Sequence, residues 1–202
     1  MLKQNPCLLD EQKKAKPKIE DVIPKYLDEN MKESAIDFVV WLRANKMSPG
    51  WAGFTNAWKA TNKGRTICYI KLGAGSGASN VKDNKWVVAP FLENLNKYED
   101  KIIGENLQNL LWENVFYCVQ KPKDSLPPEE LRHYALSYPC DIWGCAPGKD
   151  ITVCGKELTN ICRNGNRQHF WFHDPDEVTL GFIKKLLEFE KAARSVKNNE
   201  FL

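Results

Sequence analysis

Residues 58–70 read WKATNKGRTICYI, and the fold class turns on this stretch. Asn62, Lys63 and Gly64 supply the positive-φ chemistry of a tight turn, and β-branched and aromatic residues flank them on both sides. The pattern predicts a hairpin with strands over residues 51–61 and 65–72. In the second strand Arg65, Ile67 and Tyr69 alternate with Thr66, Cys68 and Ile70, so an extended chain sends the two sets to opposite faces. A further strand is expected over 85–89. The connection opens with Gly73-Ala74-Gly75-Ser76-Gly77, which has the composition of a phosphate cradle. The next residues are Ala78-Ser79-Asn80-Val81 rather than an apolar helix, so a hairpin loop is the expectation.

Outward from the hairpin, Met31, Ala35, Phe38, Val39 and Leu42 fall at helical spacing and predict an amphipathic helix that ends near Asn45, ahead of Pro49. Between 90 and 113 the apolar spacing predicts two short helices broken at Gly104. VFYCV at 115–119 reads as a buried strand, and residues 121–139, with Pro127 and Pro128, as a surface excursion. Residues 140–173 are turn-rich and cysteine-containing, with a hairpin in ITVCGKELTNIC and a strand in HFWF. The last helix has Asp174 as its expected cap, Pro175 in its first turn and Glu177 to complete a capping box. Val178, Phe182, Ile183, Leu186 and Leu187 form its apolar stripe, which runs to about Arg194. Residues 1–18 are polar and lysine-rich and read as a flexible arm, and 196–202 as a frayed tail. The expected fold is α+β: a single domain over 19–195, with a mainly antiparallel sheet covered by helices and a long C-terminal helix.

Composition narrows the function classes. The chain has 202 residues, 43% of them hydrophobic and 27% charged, with 29 basic and 26 acidic side chains for a net charge of +3. The charges are interspersed, which argues against nucleic acid as a partner. The one basic cluster, Lys13, Lys14, Lys16 and Lys18, is offset by Asp10, Glu11 and Glu20. No apolar run approaches the ~18 residues of a membrane span, and MLKQNPCLLDEQKK lacks the character of a secretory leader, so a cytoplasmic location away from membranes is expected. Seven cysteines, an odd number, imply thiols or metal ligands rather than a disulfide framework.

Three constellations could carry chemistry. The first is aromatic: Trp58, Arg65, Tyr69, Trp86 and Tyr117, with Trp51, would frame a cleft of rings around one fixed cation, suited to a small, partly apolar anion or a planar ligand. The alternative is that these rings pack beneath the helices as core. The second is a zinc site using Cys140, Cys145 and Cys162, with Cys118, Cys154, His169 or His173 as fourth ligand and His169 carried forward as the candidate. If HFWFH is extended, its two histidines lie ~13 Å apart, so only one can join. The third is a thiol nucleophile, Cys118 or Cys145, with His169 or His173 as base.

WKATNKGRTICYI, NVFYC and CAPGKDITVCGKELTNIC, together with HDPD and the apolar helix after it, resemble an uncharacterised domain of Clostridium-type bacteria whose first half is similar to YdhG-like domains. The resemblance covers residues 31–195. It implies a cytosolic α+β domain whose sheet is covered by helices on one side, with no catalytic residues to carry over. YdhG-like proteins are linked to iron handling, for which this chain shows no acidic cluster. The function expected from the sequence is therefore small-ligand binding or regulation without catalysis, through an aromatic cleft. A zinc-stabilised interaction module and a thiol-dependent enzyme stand as alternatives.

Overall fold

In the computed structural model the described residues are 6–73, 85–115, 148–161 and 170–196. They form an α+β fold with antiparallel strand pairs and a long C-terminal helix. Where one domain over 19–195 is expected, the chain divides into two compact units, Met1–Ala89 with Phe172–Gly181, and Pro90–Trp171 with Phe182–Leu202.

The first unit opens with helix α1 (Pro6–Ala15), where the sequence suggests a flexible arm. What anchors it is long-range: Gln12, 6% exposed, donates through Nε2 to Asn56 Oδ1 at 2.5 Å and accepts from the Asn56 N–H at 2.8 Å. A buried amide pair that satisfies itself reciprocally removes the cost of burying either member. A 3-10 turn (Ile19–Asp21) and α2 (Ile23–Tyr26) lead to α3 (Glu29–Ala44), which is capped by Asp28 through the Met31 N–H. Ala35, Phe38, Val39 and Leu42, the predicted stripe, are its buried face, and α3 packs on the first strand.

The predicted first strand is two strands, β1 (Ser48–Trp51) and β2 (Ala57–Asn62), parted by a turn through Gly53 and Asn56. β3 (Arg65–Leu72) and β4 (Trp86–Pro90) come next, and β7 (Phe172–His173) completes a five-stranded sheet of order β1-β2-β3-β4-β7. Lys63 (φ 48) and Gly64 (φ 76) make the β2–β3 turn, the two-residue left-handed geometry that matches strand twist. β1–β2, β2–β3 and β4–β7 pair antiparallel. All five residues of β4 are buried.

In the second unit α4 (Glu99–Gly104) and α5 (Gln108–Glu113) are the two short helices expected. The break is made by Asn106 (φ 56) rather than Gly104, because Asn tolerates the left-handed conformation that closes a helix. β5 (Lys149–Val153) and β6 (Lys156–Ile161) form the predicted hairpin, turned by Cys154 (φ 49) and Gly155 (φ 76). The final helix, α6 (Glu177–Val196), belongs to the first unit through Gly181 and to the second from Phe182 onward. Its cap is Asp176, which accepts from the Thr179 N–H at 2.8 Å, and not Asp174. Asp174 accepts instead from the Lys85 and Trp86 N–H groups, both at 2.8 Å.

A buried polar network sits inside the second unit. Glu190 is fully buried and accepts from the Asn94 N–H at 3.0 Å, Asn94 Nδ2 at 2.9 Å, Tyr98 OH at 2.8 Å and Arg194 Nε at 2.7 Å. Burial, then the Glu190 charge and its hydrogen bond, push the Tyr98 hydroxyl well above its ordinary range, which keeps it a donor. Arg194 also donates to the Phe91 carbonyl and lies 3.7 Å from Glu93. These contacts are all internal to the unit, so the network's role is to hold the segment around Asn94 and Tyr98 to α6.

Candidate functional site

The site is decided by the register of β2 against β3. Trp58 stands opposite Ile70, Lys59 opposite Tyr69 and Ala57 opposite Lys71. Direct partners share a face and neighbours along a strand do not. Trp58 and Tyr69, expected to line one cleft, therefore lie on opposite faces of the sheet. The cause is a β-bulge: Ala60 pairs with Cys68 but Thr61 pairs with Thr66, leaving Ile67 unpaired. In a bulge-free hairpin closed by the same turn, Trp58 would stand opposite Tyr69. The extra residue flips the rest of β3 to the other side.

Each predicted ring then finds its place. Trp58 is fully buried, and its indole N–H donates to the Pro17 carbonyl at 2.9 Å; it is core. Trp51, directly opposite Trp58, shares that face. Trp86 is 1% exposed and packs in β4. Arg65 pairs with Asn62 at the end of the hairpin, and so also falls on the Trp58 face, away from Tyr69. The expected cleft around Trp58, Tyr69 and Trp86 is not formed, because two of its three rings are buried. Tyr117, Cys118, Cys140, Cys145, Cys162 and His169 lie outside the described residues.

The other two constellations reach the described residues only in part. Cys154 sits in the β5–β6 turn and its N–H meets Glu99 at 3.3 Å; burial, aided by the Glu99 charge, pushes its thiol up to about 11. Cys68 is fully buried, and burial drives its thiol far above the ordinary range. Both shifts favour the protonated thiol at neutral pH and so disfavour a nucleophilic role. His173 lies in β7 opposite Val87. Among the described residues no group of three or more His, Cys, Asp or Glu side chains could hold a metal.

What the register does assemble on the Tyr69 face is a ring between two cations. Lys59 is exposed, while Tyr69 and Lys71 are partly exposed. A direct cross-strand pair sets the Lys59 and Tyr69 Cβ atoms ~5 Å apart, and the diagonal Lys59–Lys71 spacing is ~7 Å. Tyr69 and Lys71 are ~7 Å apart along β3. Ala57, opposite Lys71, contributes only a methyl. Burial pushes the Lys71 ammonium down to about 8 from an ordinary 10.5, because a charge loses solvation there. Neither Lys59 nor Lys71 is among the candidates that the sequence alone points to. The alternation of lysines with Tyr69 was visible, but their adjacency depends on the bulge.

At the strand's end Gly73 (φ 70) carries no side chain because a Cβ there would come within 2.7 Å of the Tyr26 ring. The glycine-rich stretch that follows falls within residues 74–84, which lie outside the described residues. No helix among the described residues is long and apolar enough to cross a membrane. No protein-family model, curated protein or solved structure matches the chain.

Proposed function

We propose that the chain is a non-enzymatic small-ligand-binding domain whose ligand is a small anion with a planar part, held on the Lys59–Tyr69–Lys71 face. The supporting observation is the register that sets Tyr69 opposite Lys59 and two residues from Lys71. A ring flanked by two ammonium groups offers a planar anion both stacking area and charge. Burial around Lys71 strengthens its attraction for a negative group, since a partly desolvated charge is screened less than one in open water. The site keeps Tyr69 from the sequence-based cleft and replaces its buried tryptophans with lysines.

Calorimetric titration with phenyl phosphate tests the reading. Saturable binding is expected, weakened roughly tenfold or more in Lys71→Met and in Tyr69→Leu, the size of a lost charge-assisted contact. Lys63→Met, which removes an exposed cation at the β2–β3 turn, serves as the control for charge alone. Equal affinity in wild type and both site variants, or no binding at millimolar ligand, overturns it.

A further inference from the structure

We infer that Lys71 is the reactive amine of this face, and that it captures a small aldehyde-bearing anion as a reversible imine. This rests on the proposed ligand-binding function and names the chemical class of the ligand. Three features of the site support it. The backbone around it is held from the β2 side by Ala57 opposite Lys71 and the Leu72 N–H on the Asn56 carbonyl at 2.9 Å, and from the β4 side by the Gly73 N–H on the Lys85 carbonyl at 2.7 Å. The residue is partly exposed, although its amine is crowded enough to lose solvation. Ala57 puts only a methyl beside it, whereas Tyr69 and Lys59 provide a flat wall and a second positive charge for the ligand's ring and anionic group.

An amine attacks a carbonyl only when unprotonated. With Lys71 pushed down to about 8, roughly one amine in ten is unprotonated at pH 7, against about one in three thousand for a lysine at the ordinary 10.5. The Nζ lone pair adds to the carbonyl carbon, and the former carbonyl oxygen takes up a proton from nitrogen to give a carbinolamine. Loss of that hydroxyl with the second nitrogen proton, as water, leaves the C=N bond. Aldehyde plus amine gives imine plus water, with no oxidant or reductant. Hydrolysis returns both partners.

The experiment uses the full chain and two probes that differ at one carbon: pyridoxal phosphate, an aldehyde, and pyridoxine phosphate, its alcohol. The aldehyde is added at less than one equivalent, the imine is reduced with borohydride, and the modified peptide is mapped by mass spectrometry. Most of the label is expected on Lys71. In Lys71→Arg the total label should fall at least about fivefold, since the always-charged guanidinium does not add to the aldehyde. Label shared among surface lysines such as Lys63 and Lys59, with Lys71 no more modified than they are, overturns the inference on the wild-type chain alone. If pyridoxine phosphate binds but Lys71 is unlabelled, imine capture falls and the ligand-binding reading stands. If neither probe is retained, both fall.

Discussion

Arg194→Met should be among the most damaging single substitutions in the chain. The Arg194 side chain is 6% exposed and its partner Glu190 0%, so the pair lies out of water and its members depend on each other. Removing the guanidinium leaves the Glu190 carboxylate with Asn94 and Tyr98 as donors but without the Arg194 charge, and takes a donor from the Phe91 carbonyl. Breaking a buried pair from one side costs about 3–5 kcal/mol, a large fraction of the ~5–15 kcal/mol that holds a domain together. Urea unfolding followed by far-ultraviolet circular dichroism reads this as a fall in midpoint of more than about 1 M at ordinary denaturant sensitivity. Lys185→Met, which removes the exposed ion pair to Glu105, is the internal comparison and should cost at most ~1 kcal/mol. If the two variants unfold at the same urea concentration, the Glu190 network is solvated and does not hold the second unit together.

Trp58→Ala should remove about 3–5 kcal/mol of stability as a core truncation, and the fraction that remains folded should still bind phenyl phosphate; loss of binding in a fully stable variant would place Trp58 in the site. Asp174→Ala should destabilise more than Asp176→Ala, because Asp174 holds two backbone N–H groups across the chain while Asp176 caps one helix, worth ~1 kcal/mol; thermal melts of the pair give the order. Burial alone would raise the Glu20 carboxyl, but the Arg43 hydrogen bond and the surrounding positive charge outweigh it and hold the group below its ordinary 4.5. The stability it contributes is therefore complete above pH 4.5 and lost as pH falls through the lower folded-state value. Glu20→Gln should flatten the acid limb of a urea-midpoint profile and leave the difference from wild type constant above it; an unchanged acid limb would mean the contact with Arg43 does not form in solution.

Much of the fold is legible locally. The stripe on α3, the Lys63-Gly64 turn, the paired short helices and the apolar face of α6 each arise from residues a few positions apart. What escapes the sequence is fixed by distant partners. The segment containing α1 is polar enough to read as an arm, and what docks it is the Gln12–Asn56 pair, 44 residues apart. Asp174 and Asp176 are equivalent as caps by type. The choice falls to Asp176 because β4 takes the Asp174 carboxylate, 88 residues away from Trp86. Gly104 is the obvious breaker by composition, yet Asn106 does the turning, since a left-handed residue is needed one step past the helix end.

The site turns on a single residue. A strict ladder from the Lys63-Gly64 turn brings Trp58 to Tyr69 and makes the aromatic cleft; the bulge at Ile67 separates them and brings Lys59 to Tyr69 instead. A trace of this is present in RTICYIKL. Under strict alternation Ile67 would share a polar face with Arg65, Tyr69 and Lys71, yet an isoleucine there has every reason to be buried. The structure buries Ile67 and Cys68 consecutively, which an unbroken strand with one wet face cannot do, and the bulge lets both enter the interior. The driving force is the ~1.5–3 kcal/mol gained by burying one aliphatic side chain. That local gain sets which face Tyr69 occupies, and so whether its neighbours are the core tryptophans or Lys59 and Lys71.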